Sequence, residues 1–289
     1  MLKIALPNKG RLADDTRELL EDAGLGVRIE SDRALIATLG SEYQAIFVRS
    51  QDIPEFVADG AADAGVTGWD LVAESERPLE QRLDLGFGRC RLVVAARDDS
   101  GIGAMDDIPA GSRVATVFPR ITRRFFEQCA KRVELVPVSG ATEIAPHLGI
   151  ADLIVDLVST GSTLKVNGLR EVVTVLESSA RLVTRARASG VGSPPGNDAL
   201  NALVIRLESV IRARGQRYVM ANVPRDSLEQ VKRIVPGING PTVVDILNEG
   251  RHVAVHAVVA ASAIDRTIAE LKALGAEGIL VTRIERLMP

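Results

Sequence analysis

Five small residues in the middle of the chain have the composition of a phosphate-binding loop. Ser159-Thr160-Gly161-Ser162-Thr163 places four hydroxyls around one glycine. The loop follows an apolar run at 153–158 and precedes an apolar–polar pattern from Leu164, which predicts a strand, a loop and a helix start. Hydroxyls and backbone N–H groups at a helix start favour a bound phosphate. Simple helix capping by Ser159 and Thr160 is the alternative interpretation.

Three carboxylates lie close to this loop in the sequence. Asp156 interrupts the apolar strand three residues before the first hydroxyl, where it can accept hydrogen bonds from sugar hydroxyls beside a phosphate. Asp152 comes just before the strand, and Glu143 follows the small residues 139–142 at the predicted start of a helix. The alternative for Asp156 is that it only completes a turn.

A second group of residues, all polar except Leu71, follows other predicted strands. The strand at 2–7 leads directly to Lys9 and Arg11, the strand at 45–48 leads to Arg49, and a short strand ending in Gly68 precedes Asp70 and Leu71. Open α/β sheets bind ligands at the carboxyl ends of their strands, so this group is a candidate ligand edge. Solvation of the loop by its charges, and helix capping by Asp70, are the competing explanations.

The elements that must position these residues alternate between strand and helix as far as residue 184, which is typical of an α/β fold. A Gly- and Pro-rich segment at 188–197 predicts a loop or linker. The tail from 218 to 284 has the order β-α-β-β-α-β, which predicts a ferredoxin-like module.

Composition narrows the classes of function. The net charge of −3 and a pI near 5.8 argue against nucleic-acid binding, and the basic run at 120–124 suits either a small polyanion or a solvated helix face. No apolar run approaches the roughly 18–20 residues of a membrane span, and the start of the chain lacks signal-peptide features. Cys90 and Cys129 have no metal-site spacing, which favours reduced thiols in the cytoplasm. His252 and His256 lack a third metal ligand, which favours strand packing.

The segment from Glu143 to Leu164, with Gly149, Asp152 and the run 156–164, resembles the phosphoribosyl-pyrophosphate signature of ATP phosphoribosyltransferases. The flanking runs at 7–12 and 167–172 resemble the same family. The likeness extends over essentially all 289 residues and includes the tail that marks the long form.

This resemblance implies a two-lobed, periplasmic-binding-protein-like (type II) catalytic unit with a C-terminal ferredoxin-like βαββαβ regulatory domain. Lobe I is expected to comprise residues 1–92 and 184–214. Lobe II is expected at 93–183 and would bind 5-phosphoribosyl 1-diphosphate (PRPP). The regulatory domain is expected at 215–289. The implied reaction joins ATP and PRPP to give N1-(5-phosphoribosyl)-ATP and diphosphate, the first step of histidine biosynthesis, with feedback inhibition by histidine.

The resemblance also implies a role for individual residues. Those expected to act in catalysis are Asp156, Glu143, Lys9 and Arg11. Those expected to bind PRPP are Asp152, Asp156, Ser159, Thr160, Gly161, Ser162 and Thr163. Those expected to bind ATP are Lys9, Arg11, Arg49, Asp70 and Leu71. Thr242 and Asn222 are the expected contacts of histidine.

The expected cofactor is Mg²⁺, held mainly through the substrate diphosphate rather than by protein ligands. The expected assembly is a homo-oligomer, a dimer or hexamer, with no accessory regulatory subunit. The main alternative is a non-catalytic, two-lobed small-molecule-binding protein with a ligand-sensing tail. A purine-salvage phosphoribosyltransferase is a further alternative, but that class does not predict the tail.

Overall fold

The computed structural model describes residues 1–28, 35–186, 197–247 and 250–288. The predicted linker at 188–197 lies almost entirely outside the described residues. The chain forms two compact units, Met1–Val204 and Ile205–Pro289.

The first unit is built from short strands and helices in alternation. Its strands are β1 (Leu2–Pro7), β2 (Val27–Arg28), β3 (Ile36–Leu39), β4 (Tyr43–Val48), β5 (Ala64–Gly68), β6 (Leu79–Asp84), β7 (Cys90–Arg97), β8 (Ser112–Thr116), β9 (Val133–Pro137), β10 (Leu153–Val158), β11 (Leu169–Ser178) and β12 (Ala180–Arg185). Its helices are α1 (Arg11–Asp22), α2 (Ile53–Ala58), α3 (Trp69–Ser75), α4 (Pro119–Gln128) and α5 (Ser162–Val166), and α6 (Asn197–Arg214) continues into the second unit.

These strands form two sheets, one in each lobe. The first sheet has the order β2-β3-β4-β1-β5-β12-β6, and the second has the order β11-β7-β10-β8-β9. The chain passes to the second sheet between β6 and β7 and returns at Ser179, between β11 and β12. The crossings therefore lie a few residues before the expected lobe boundaries at 92 and 183. The two-lobed α/β prediction is confirmed.

The second sheet is buried on both faces, as is usual for a sheet with helices on each side. On β7, alternate residues face different cores: Leu92 and Val94 pack with Phe126, whereas Val93 and Ala95 pack with Leu164 of α5. This alternation explains why β7 is an uninterrupted apolar run rather than an alternating one. It also places α5, directly after the predicted phosphate loop, on one defined face of the sheet.

One local prediction was wrong, and the outer strand β6 was not predicted. The helix expected to start near Glu143 is a single 3-10 turn, Thr142–Ile144, because Pro146 and the glycine at 149 leave no room for further turns. Strand β6 was not predicted, because its sequence, Leu-Glu-Gln-Arg-Leu-Asp, has few apolar residues. It is the outermost strand of the first sheet, where little burial is required.

The second unit has the ferredoxin-like order that the sequence predicts. Its elements are β13 (Gln216–Pro224), α7 (Leu228–Ile234), β14 (Thr242–Asp245), β15 (His252–Ala260), α8 (Ile264–Ala273) and β16 (Glu277–Arg283). The sheet order is β14-β15-β13-β16 with antiparallel pairs throughout. Alternate residues of β13, such as Val219 and Val223, pack with Val231 of α7 and Leu271 of α8. No helix among the described residues is long and apolar enough to cross a membrane.

Candidate active site

The positively charged residues of the first lobe lie at one edge of its sheet. β1 pairs in parallel with β4 and with β5, so the carboxyl ends of these three strands lie at the same edge. Lys9 and Arg11 follow β1, and Arg49 follows β4; all three side chains are exposed. The Asn8 N–H donates to the Val48 carbonyl oxygen at 2.9 Å, which ties the two loops together. The structure therefore brings three predicted cations to one edge.

Asp70 occupies the same edge but is buried, with 5% of its surface exposed. The Ser178 hydroxyl donates to Asp70 Oδ1 at 2.6 Å, and the Asp70 N–H donates to Ser178 Oγ at 3.0 Å. Burial raises the pKa of Asp70, against the lowering effect of the Ser178 hydrogen bond. A Cβ on Gly68 would lie 2.4 Å from Asp70 Oδ1, so any larger residue there would displace the Asp70 carboxylate. In this arrangement Asp70 joins α3 of the first lobe to β11 of the second.

The predicted phosphate loop lies between β10 and α5. Gly161 has a φ of +77°, in the left-handed region that favours glycine. Thr160 Oγ1 and Ser162 Oγ are hydrogen-bonded at 3.0 Å, and the side chains of Ser159, Thr160, Ser162 and Thr163 are exposed. The structure therefore provides a glycine-centred loop with hydroxyls that are open to a ligand.

Asp156 lies at the end of β10 in a group of polar residues from the second lobe. Its Oδ1 accepts the Leu157 N–H at 2.7 Å, and Thr142 lines the cleft beside it. Burial, together with the nearby negative charge of Glu143, raises the pKa of Asp156. The structure thus brings Glu143 and Asp156 together, as the sequence predicts.

A cleft of about 560 Å³ separates the two lobes at this point. Leu71 lines it from the first lobe, and Thr142 and Asp156 line it from the second. The carboxylate of Glu74, which no sequence pattern indicated, bridges the lobes. Its Oε1 accepts the Arg120 N–H and its Oε2 accepts the Ile121 N–H, each at 3.0 Å. These two hydrogen bonds hold α3 of the first lobe against the start of α4 of the second, at one side of the cleft.

A second crevice, of about 340 Å³, is lined by arginines that the sequence analysis also missed. Arg89, Arg91 and Arg181 line it together with Ser159, the first residue of the phosphate loop. Arg181 also lies over the Trp69 ring, 5.0 Å from its centroid. The only sequence signal was the pair of arginines on either side of Cys90, just before the apolar run at 92–96. β10 thus carries Asp156 in the cleft and leads to Ser159 in this crevice.

Asp152 does not join the loop, contrary to the prediction. It precedes β10, whereas the loop follows β10, and a six-residue strand separates the two by about 20 Å. Its Oδ2 accepts the Arg113 N–H at 2.8 Å, and Arg113 Nη2 lies 3.3 Å from Oδ1. These hydrogen bonds from Arg113 lower the pKa of Asp152. The residue ties β10 to β8 and belongs to the scaffold.

Replacing Asp152 with asparagine is therefore expected to affect stability and not turnover. Because its pKa is lowered in the folded protein, the aspartate stabilises the fold above its unfolded pKa, and this contribution disappears as the pH falls through the folded pKa. We expect the variant to melt roughly 2–4 °C lower at pH 7, with the difference vanishing in acid. Scanning calorimetry at several pH values measures this, and a large loss of kcat at unchanged stability would contradict it.

The predicted effector residues lie in the second unit. Asn222 is on β13, and Thr242 begins β14. The residues next to them in each strand face α7 and α8. Asn222 and Thr242 therefore lie on the opposite face of the sheet, which these helices leave uncovered. The same face carries Tyr218 and His256, whose Oη and Nδ1 are hydrogen-bonded at 2.5 Å. Among the described residues, no group of three or more His, Cys, Asp or Glu has the geometry of a metal site.

Comparisons with known proteins cover both units. The profile of the family described as "HisG: ATP phosphoribosyltransferase" matches residues 49–209, more than half of the chain, and that of "HisG, C-terminal domain" matches residues 213–286. An ATP phosphoribosyltransferase of Gemmatimonas aurantiaca is 66% identical over 292 residues, with 100% of each chain covered. One of Methanocaldococcus jannaschii is 44% identical over 290 residues, again with 100% of each covered.

One solved structure resembles the chain at the level of both fold and sequence. A chain of the ATP phosphoribosyl transferase (HisG:HisZ) complex from Thermotoga maritima is 30% identical, with a TM-score of 0.63, and the match covers 73% of this chain and 99% of that chain. Together with the full-length relatives and the profile match in the tail, this similarity places the chain in the ATP phosphoribosyltransferase family, in its long form with a C-terminal regulatory domain.

Proposed function

We propose that the protein transfers the phosphoribosyl group of PRPP to N1 of ATP and releases diphosphate, the first step of histidine biosynthesis. The observation that carries this proposal is the position of Asp156. Its carboxylate lines the cleft between the lobes and lies three residues before a glycine-centred hydroxyl loop, in a chain of this family. A sugar held at Asp156 would have its phosphate within reach of that loop.

The second lobe would hold PRPP. The hydroxyls and backbone N–H groups of Ser159-Thr160-Gly161-Ser162-Thr163 bind the 5′-phosphate, and Asp156 accepts hydrogen bonds from the ribose hydroxyls. The exposed loop and the left-handed Gly161 support this assignment, because a phosphate can approach the backbone closely there. Asp152 has no part in this proposal, since its carboxylate is paired with Arg113 at the far end of β10.

The reaction breaks the C1′–O bond to diphosphate and forms a bond from C1′ to N1 of the adenine. The carbon passes through an oxocarbenium-like state, so negative charge near the ribose lowers the barrier. Asp156 and Glu143 provide that charge in a partly buried setting. The nucleophile is the N1 lone pair, so no covalent catalyst is required. The rest of the rate enhancement comes from the positioning of the two substrates.

The first lobe would hold ATP. The ATP phosphates bind to three exposed cations at one edge of the first sheet, Lys9, Arg11 and Arg49. The adenine contacts Leu71, which lines the cleft. Asp70 acts from its buried position by fixing the start of α3, on which Leu71 lies. Lys9 and Arg11 also offset the charge of the departing diphosphate, which is their catalytic role.

Members of the family use a divalent metal, and we propose Mg²⁺. The oxygen donors at the cleft fit this ion: Asp156 and Glu143 offer two carboxylates beside the expected diphosphate, and Mg²⁺ usually takes one or two carboxylates together with substrate phosphates. The ion would neutralise the leaving diphosphate. The protein's own contribution is to hold the two carboxylates near the anomeric carbon.

The second unit would bind histidine as a feedback inhibitor through Thr242 and Asn222. Their position on the uncovered face of its sheet supports an accessible effector site. We further propose a cytoplasmic homo-oligomer, a dimer or hexamer, that needs no accessory subunit because the chain carries its own regulatory domain. The proposed functional units are the two lobes near the expected bounds of 1–92 with 184–214 and 93–183, with the exchange between them at the crossings before β7 and at Ser179, and the regulatory domain at 215–289. The family-profile match to residues 213–286 supports the last assignment.

The proposal is tested by measuring diphosphate release from ATP, PRPP and Mg²⁺, with and without histidine. We expect release with ATP but not with free adenine, and suppression of that release by histidine. Release that histidine does not change would keep the enzyme and remove Thr242 and Asn222 as effector contacts. Folded protein that releases no diphosphate would contradict the proposed reaction.

A further inference from the structure

An arginine–carboxylate pair lies directly behind the phosphate loop. Arg91 of β7 binds Glu171 of β11 through two hydrogen bonds, Nη1 to Oε2 at 2.8 Å and Nη2 to Oε1 at 3.0 Å. Arg91 Nη1 also donates to Thr174 Oγ1 at 3.3 Å. Two parallel hydrogen bonds fix both the direction and the distance of the carboxylate, which a single contact does not.

The carboxylate of this pair lies beside the glycine at the centre of the loop. A Cβ on Gly161 would lie 3.3 Å from Glu171 Oε1, and that oxygen is the nearest atom to this point. Arg91 is also the cross-strand partner of Val158, the last residue before the loop. The pair therefore lies beside the end of β10 and faces the glycine of the loop, although 80 residues separate Arg91 from Glu171.

This position presents an electrostatic problem if the loop binds a phosphate. A free carboxylate a few ångströms from Gly161 would repel the phosphate, because like charges at this distance interact strongly when they are partly shielded from water. Glu171 is one-third exposed, so solvent screens it only in part. The guanidinium of Arg91 cancels its charge while keeping the carboxylate beside the loop.

We propose that Glu171 is a positioning residue for PRPP: held and neutralised by Arg91, it supports Gly161 so that the loop keeps the shape that receives the 5′-phosphate. The inference rests on the proposed function and adds a residue pair to the PRPP site. Arg91 acts through Glu171 in this arrangement. Because the pair belongs to the second sheet, whereas Lys9 and Arg49 follow strands of the first, we expect ATP binding not to depend on it.

The test is a double-mutant cycle with Glu171→Gln, Arg91→Met and both together. Glu171→Gln keeps the shape but removes one charged acceptor, and we expect the KM for PRPP to rise about 10-fold. Arg91→Met leaves an uncompensated carboxylate behind the loop, so the KM for PRPP should rise further than in Glu171→Gln, by about another three- to fivefold for a pair that is one-third exposed. The double variant should recover toward the Glu171→Gln value, because the unpaired charge is gone. The KM for ATP should change less than about twofold in all three.

The matched control is Arg97 and Asp99, which form a similar two-contact pair at the other end of β7. Asp99→Asn and Arg97→Met should leave both KM values unchanged. Equal changes in the KM for PRPP and for ATP, or a fall in melting temperature alone, would overturn the positioning role. A double variant no better than Arg91→Met would also overturn it, because Arg91 would then contact the ligand itself.

Calorimetric binding of ribose 5-phosphate separates this proposal from the proposed function. That ligand carries the 5′-phosphate without the diphosphate and needs no turnover. We expect the Kd of ribose 5-phosphate to rank the variants as the KM for PRPP does, with the weakest binding in Arg91→Met. This ranking should hold even if the protein releases no diphosphate. Unchanged Kd values in all three variants would reject the role of the pair whatever the reaction is.

Discussion

Replacing Asp156 with asparagine should lower kcat about 100-fold, in the range found when one group that stabilises transition-state charge is removed. Asparagine keeps the shape and can still hydrogen-bond to a ribose hydroxyl, so the KM for PRPP should change little. The negative charge near C1′ is lost, and with it the stabilisation of the oxocarbenium-like state. Steady-state kinetics with each substrate varied in turn separates kcat from KM.

The matched control is Asp152→Asn on the same strand. It makes the same chemical change at the opposite end of β10, where the carboxylate is paired with Arg113. It should leave kcat unchanged. Equal losses of kcat in the two variants would mean that the charge of Asp156 has no special role.

The raised pKa of Asp156 gives this prediction a pH dependence. The carboxylate is the active form, so kcat should fall as the pH drops through a pKa that burial has moved above the ordinary range for aspartate. The effect on stability has the opposite sign. A carboxylate with a raised folded pKa stabilises the fold only while protonated, and this contribution disappears as the pH rises through that pKa. Asp156→Asn should therefore melt at or above the wild-type temperature at pH 7.

Replacing Gly161 with valine should raise the KM for PRPP about 10- to 100-fold, the equivalent of the strain of a non-glycine residue in a left-handed conformation. The φ of +77° is unfavourable for a β-branched residue, and the new side chain would meet Glu171 Oε1. Either the loop or Glu171 must then move. Binding of ribose 5-phosphate, measured by calorimetry, should weaken to the same extent as the KM rises.

Gly168→Val is the control for backbone strain alone. Gly168 follows the same helix, α5, and has a φ of +58°, but a Cβ there would have no atom within 4 Å. This variant should lose stability while its KM for PRPP stays within about twofold of wild type. A similar rise of KM in both variants would assign the effect to general strain in α5 rather than to the loop.

The sequence predicted the loop correctly because its signals are local. An apolar run, a cluster of small residues and a resumed apolar pattern specify strand, loop and helix within a dozen residues, and the structure has all three in place. The role of Asp152 came from the family resemblance and not from such a local signal, and its position in the structure does not support it. Asp152 is only four positions from Asp156 in the sequence, but a strand rises about 3.3 Å per residue and carries Asp152 to the opposite end of β10.

Local sequence signals could not identify four residues of the site, Arg91, Glu171, Glu74 and Ser178. Their partners are between 46 and 108 residues away in the chain, and the contacts exist only because β7 lies between β10 and β11 and because α3 meets α4. Strand order depends on the packing of the whole unit. Apolar periodicity reports which face of a strand is buried but not which strand will lie beside it.

The position of β12 has a consequence for biosynthesis. This strand lies between β5 and β6 in the first sheet, although β6 comes nearly a hundred residues earlier in the chain. While the ribosome is still producing the second lobe, β5 and β6 have no strand to join them, and each exposes an unpaired edge. Such contacts between distant parts of a chain form slowly. The nascent first lobe must therefore wait for the second before its own sheet can close, and aggregation of the nascent chain competes during that interval.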